Sequence, residues 1–171
     1  MRFVAIDFET ADYGRDSACA VGLVRVEDGI ITDRVHRLIR PPRSEFVFTY
    51  IHGIRWGDVV TEPPFAEVWR DVAPVLDGAD FLAAHNAPFD RGVLGACCMA
   101  AGVSSPGLAW RCTVQLARSV LGIRPANLRH VCDTLGIPLR HHQALSDAEA
   151  CARIVLEAGR LGLDGGPGAP A

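Results

Sequence analysis

The chain has 171 residues with a net charge of −3, is 49% hydrophobic and 22% charged, and all 17 of its basic residues are arginine. A single domain of this size buries roughly 70% of the surface its unfolded chain exposes, so no disulfide or metal is needed to hold it together. The charge balance excludes a protein that coats nucleic acid through a broad basic surface, and no apolar run approaches the roughly 20 residues of a membrane span. Any nucleic-acid contact is expected to be local, with arginines such as Arg118, Arg124, Arg129 and Arg140 as candidates for phosphates or plain surface charge. The six cysteines form no Cys-x-x-Cys pair and read as reduced thiols. With no signal-peptide pattern at the start, the expected location is cytoplasmic.

In chain order, Arg2 to Phe8 reads as a buried strand, and Ala18 to Glu27 and Ile30 to Ile39 as two more. Asp28-Gly29 between them is a hairpin signal. Phe46 to Trp56 is aromatic-rich and carries no clear period. Pro63-Pro64 opens a helix from Phe65 to Leu76, with Phe65, Val68, Trp69, Val72 and Leu76 at helical spacing. Ala79 to Ala84 is a short apolar strand, followed by a helix from Ala87 through Ala101 that Gly102 closes. Cys112 to Leu121 and Asn127 to Leu135 read as helices. Ser146 and Glu149 form a capping-box pattern, which starts the last helix at Ser146. A Gly, Pro and Ala tail, 163–171, is expected to be disordered, leaving 1–162 as the domain. Strands first and helices after give an α/β fold with a mixed central sheet.

Acidic residues fall at telling places on these elements. Asp7 and Glu9 lie two apart on a strand, so both carboxylates share a face. Two like charges on a core strand are costly unless a cation or hydrogen bonds compensate; the plain alternative is that the strand ends and both acids are solvated. Asp90 sits in the first turn of a helix after a buried strand, a place the macrodipole alone would favour. Asp147 opens the last helix, with His141 and His142 in the loop before it, either of which suits proton removal near neutrality. Phe8 and Phe89 read as core, and Tyr50, His52 and Ile54 equally as packing or as base-stacking surface.

Together these fragments resemble the DEDDh class of 3′–5′ exonucleases, which includes the proofreading subunit of bacterial replicative polymerase, RNase T and oligoribonuclease. Asp7-Phe8-Glu9 followed by Thr10 matches the first motif, His85 to Asp90 the His-Asn-x-x-Phe-Asp motif, and His142 to Ala148 the His-x-Ala-x-x-Asp-Ala motif. The last register selects His142 over His141. Ile51-His52-Gly53-Ile54 resembles a stretch that packs on the terminal nucleotide. The resemblance implies a ribonuclease H-like fold over Arg2 to Leu161. It implies Asp7, Glu9, Asp90 and Asp147 as ligands of two Mg²⁺ ions about 3.5–4 Å apart, replaceable by Mn²⁺, with His142 as general base. It puts Phe8, Thr10, His52, Ile54, His85, Asn86 and Phe89 around the substrate. The implied reaction releases nucleoside 5′-monophosphates from the 3′ end of nucleic acid, expected to be DNA. Trimming of RNA ends or short oligonucleotides is the alternative, and a non-catalytic binding module of the same fold the rival. The chain stops soon after the third motif, where the proofreading subunit carries an extension that docks its polymerase, which leaves a polymerase-bound role open.

Overall fold

The computed structural model describes residues 1–161. The expected tail, 163–171, lies outside the described residues. Five strands form one sheet in the order β3-β2-β1-β4-β5. β1 (Arg2–Thr10), β2 (Ala18–Glu27) and β3 (Ile30–Leu38) make an antiparallel meander. β4 (Phe81–Ala84) joins β1 in parallel, and β5 (Ala109–Cys112) joins β4 in parallel. Asp28 and Gly29 both take positive φ, 49° and 85°, the conformation a two-residue hairpin of this hand requires.

Side-chain alternation along β1 divides the molecule into layers. Val4, Ile6 and Phe8 face α3 (Phe65–Val72) and α4 (Ala87–Ala101), packing with Val68, Trp69, Val93 and Leu94. Phe3 and Ala5 face α7 (Ala144–Arg160) and pack with Ala148, Cys151, Ala152 and Val155. The small residues of α7 let it lie close on the sheet. α5 (Thr113–Ser119) and α6 (Leu128–Leu135) cover the outer side of α7 through Ala117, Val131 and Ile154.

Several expectations are refined. α3 does not run unbroken to Leu76; Pro74 has no N–H to give, and the chain tightens into a 3₁₀ turn at Ala73–Leu76. The aromatic segment forms two short helices, α1 (Thr49–His52) and α2 (Trp56–Val59). β5 lies where the sequence showed no strand, just before α5. The last helix starts at Ala144 rather than Ser146, so the capping box does not form. Instead Ser146 Oγ accepts the Arg140 N–H at 2.8 Å, and Glu149 pairs with Arg34 of β3 and with Arg153. Each cysteine is a free thiol. No described helix is long and apolar enough to cross a membrane.

Candidate active site

Continuing the β1 alternation past Ala5 puts Asp7 and Glu9 on the α7 face, at the carboxyl end of the strand. Asp147 in the first turn of α7 meets them there. One oxygen from each of the three acids lies within 4.8 Å of the other two. Asp90, in the first turn of α4, enters from the side where β4 has ended. Its Oδ1 accepts the Phe8 backbone N–H at 3.0 Å. Residues distant in sequence therefore converge, as the motif order requires.

This convergence depends on a residue that sequence reading passed over. Gly22 of β2 pairs with Asp7 and lies under the start of α7. A Cβ at this position would overlap the backbone of Ala144 and Leu145. Only glycine lets that helix approach closely enough to bring Asp147 beside Asp7. No local pattern in the sequence marks this contact, because it is made with backbone across the fold.

The carboxylates are poorly stabilised as anions. Burial, then the charges of Asp90, Asp147 and Glu9, hold the Asp7 carboxyl well above the usual range. Burial and the Asp147 charge push Glu9 to about 7. Burial raises Asp90 to about 8 despite its hydrogen bond from Phe8, and raises Asp147 despite contacts to two histidine residues. Asp147 Oδ2 accepts the His142 N–H at 3.0 Å and bonds the His141 ring at 2.9 Å. Its Oδ1 is buried with no hydrogen-bond partner. All-oxygen donors, mutual repulsion and an orphaned buried oxygen fit a hard divalent cation.

The acids floor a cleft of 310 Å³ that His85, Phe89, Asn127, Leu128, His141 and His142 also line. Glu9 and His142 are shared with a neighbouring cavity of 400 Å³, whose walls include His36, Leu38, His52, Ile54 and Leu145. His52 Nδ1 accepts the Ile54 N–H at 3.1 Å, so its Nε2 carries the proton donated to the Thr10 carbonyl at 3.1 Å. That bond ties α1 to the end of β1. His142 has φ 66°, and its imidazole titrates below its ordinary range, through burial and the charges of His141 and Arg129. Arg129 is thus the candidate arginine that the cleft feels.

The remaining predicted residues divide. Phe8 is core, 3% exposed, and also borders the cleft. Phe89 is not core: it is 37% exposed, with Arg15 over its ring and donating to its carbonyl. His85 reaches the cleft and bonds Thr113 Oγ1 at 2.8 Å. Thr10 is buried and contributes its carbonyl to His52. Asn86 is exposed, makes no side-chain capping bond and serves the backbone, taking a left-handed φ of 68° at the start of α4. Sequence reasoning missed Asn127, Leu128, His36 and Leu38, which carry no motif and are gathered by topology alone.

Residues 4–155 match the RNase_T family, described as Exonuclease. A DNA polymerase III PolC-type from Thermotoga petrophila is 34% identical over 162 residues, 90% of this chain and 12% of the polymerase. The 3′-5′ exonuclease DinG of Bacillus subtilis is 37% identical over 164 residues, 91% of this chain and 17% of that protein. The chain therefore spans less than a fifth of the length of either relative. Among solved structures, Exonuclease X in complex with 5′ overhanging duplex DNA has a TM-score of 0.74 at 27% identity, over 92% of this chain and 91% of that one. The sheet order and this likeness make the fold ribonuclease H-like, as expected.

Proposed function

The chain belongs to the DEDDh exonuclease family, and from that membership we propose that it removes nucleoside 5′-monophosphates from the 3′ end of DNA. The observation that carries the reading is the set of oxygens from Asp7, Glu9 and Asp147 within 4.8 Å of one another, beside His142. DNA is favoured over RNA by the DNA polymerase among the sequence relatives and by the DNA held in the Exonuclease X complex.

Asp7, Glu9 and Asp147 would hold one divalent cation, and Asp7 with Asp90 a second; Mg²⁺ suits these oxygens and Mn²⁺ can replace it. When bound, such ions supply positive charge at the scissile phosphate and lower the pKa of the attacking water. The protein's own groups do the rest. His142, neutral near pH 7, accepts the proton of the attacking water at its ring. Glu9 and the Thr10 backbone hold the free 3′-hydroxyl, which makes cleavage end-specific. His52 and Ile54 pack on the terminal nucleotide in the larger cavity, and Phe8 borders the adjoining carboxylate cleft. Phe89, half in solvent and backed by Arg15, stacks on the strand as it enters, and His85 and Asn86 hold the loop beside it. Arg129 screens the phosphate.

The test is a 5′-labelled DNA oligonucleotide incubated with the protein and Mg²⁺, with a chelator control and a matched RNA. A ladder shortened from the 3′ end, absent with chelator and slower on RNA, is expected. No ladder at high protein concentration would favour a binding module, and a faster RNA ladder would reverse the sugar assignment.

A further inference from the structure

The cleft contains a second set of donor atoms that differs in kind from the first. His141, His142 and Asp147 each offer an atom within 4.8 Å of the other two, and two of these donors are imidazole nitrogens. Asp147 belongs to both sets. Its Oδ2 bonds His141 Nδ1 at 2.9 Å, while its Oδ1 is buried and without a partner in a residue only 3% exposed. The two imidazoles lie stacked, with centroids 3.8 Å apart and planes at 17°. His141 lies outside the His-x-Ala-x-x-Asp pattern, so the hydrolytic reading gives it no task.

We propose that His141, His142 and Asp147 form a nitrogen-rich site for a borderline transition-metal ion such as Zn²⁺, and that its occupation inhibits the enzyme by engaging the His142 ring. The inhibitory half rests on the reading of His142 as proton acceptor; the binding half does not. The chemistry of the donors carries the choice of ion. Mg²⁺ prefers oxygen and retained water, whereas Zn²⁺ takes imidazole nitrogen together with a carboxylate oxygen. Around a tetrahedral Zn²⁺ the donor atoms stand about 3.3 Å apart. The His141–Asp147 pair is already near that spacing, and the ion would replace the proton they share. His142, a loop residue, must tilt off the His141 ring for the two in-plane lone pairs to converge on one ion. Because Asp147 serves both sets, a zinc ion on the histidine side competes with a magnesium ion on the carboxylate side. Mixed-metal conditions then act as a brake on trimming.

The first arm of the experiment uses the full chain stripped of metal and titrated with Co²⁺. A visible absorption band of tetrahedral intensity is expected at one equivalent, bleached stoichiometrically by Zn²⁺ and by Mg²⁺ only in large excess, as competition for Asp147 requires. His141→Ala, with His141→Gln as a second variant should the first fold poorly, is expected to lose the band and bind Zn²⁺ at least about tenfold more weakly. A weak octahedral spectrum in the parent protein, or unchanged Zn²⁺ affinity in both variants, would overturn the site. The second arm adds Zn²⁺ to DNA trimming in saturating Mg²⁺. Inhibition of the parent at the concentration that bleaches the band, with His141→Ala resistant, supports the brake. Tight binding without slowing would overturn it. Absence of any trimming speaks against the exonuclease reading alone, since the cobalt arm needs no substrate.

Discussion

Two groups of carboxylates stand within a few residues of each other at the end of β1, and they have opposite electrostatics. Asp12 and Asp16 are clamped by Arg43, whose guanidinium lies 2.8 Å from one and 2.6 Å from the other. Hydrogen bonds from Arg43 hold both carboxyls below their usual range. Asp7, Glu9, Asp90 and Asp147 have no such partner and are all shifted upward. Burial is the largest cause of each upward shift and Asp16 is only half-buried, yet at Asp12, 7% exposed beside 9% for Glu9, the bonds from Arg43 outweigh it. The difference is the source of the compensating charge. One group receives it from the chain; the other is built to take it from solution. Acids that merely brace a loop come with their arginine, and acids that serve a cation are left without one.

The contrast is broken most severely at Asp7. Asp7→Asn should lower trimming by at least about a thousandfold, yet raise the melting temperature of the metal-free protein at pH 8, because it deletes a buried like charge. Asp12→Asn should do the reverse, sparing chemistry and lowering the melting temperature. Calorimetry beside a trimming assay reads both.

A pH titration sharpens the same contrast. The active-site acids bind protons more tightly folded than unfolded, so their contribution is fully present below the unfolded carboxylate range and is lost as pH rises through the folded values. For Glu9, shifted from 4.5 to about 7, the loss is on the order of 3 kcal/mol. Denaturant melts in chelator should show stability falling between about pH 4 and 8, and saturating Mg²⁺ should flatten that fall. A chelator profile already flat would mean that these acids are relieved by something other than a cation.

Gly22→Ala attacks the geometry instead of the charge. Lifting the start of α7 should cost about 2 kcal/mol and separate Asp147 from Asp7, so Mn²⁺ binding followed by electron paramagnetic resonance should weaken. Gly95→Ala, where an added methyl meets nothing, is the control and should leave Mn²⁺ affinity unchanged. The smallest effect is expected at Arg43. Arg43→Ala should destabilise by about 1 kcal/mol, by the same amount with or without Mg²⁺.

How much of this was legible depended on whether a feature is local. The apolar runs of β1 and β2, and the glycine closing α4, are written in neighbouring residues, and those elements formed where expected, with β1 running on past Phe8 to Thr10. The order of the acids was legible for the same reason, each being fixed by its own strand or helix start. β5 was not, because one exposed and three half-buried residues at a sheet edge show no period. The false cap at Ser146 failed because its partners are tertiary: Glu149 answers to Arg34, 115 residues away in sequence. Gly22 and Arg43 were invisible likewise, one acting by what it lacks against a distant backbone, the other by a charge delivered from another loop.

The bond between Asp90 and the Phe8 amide bears on how any variant at position 90 must be interpreted. β4 pairs with β1 only as far as Ala5, so the rest of β1 has a raw margin on that side. The carboxylate hems it. Alanine at position 90 would therefore unpick the sheet border while discarding an acid, and a dead enzyme would say little about which mattered. Asparagine keeps an oxygen for the Phe8 amide and gives up the negative charge alone, so a protein that melts normally but no longer trims nucleic acid would isolate the chemical duty from the tailoring.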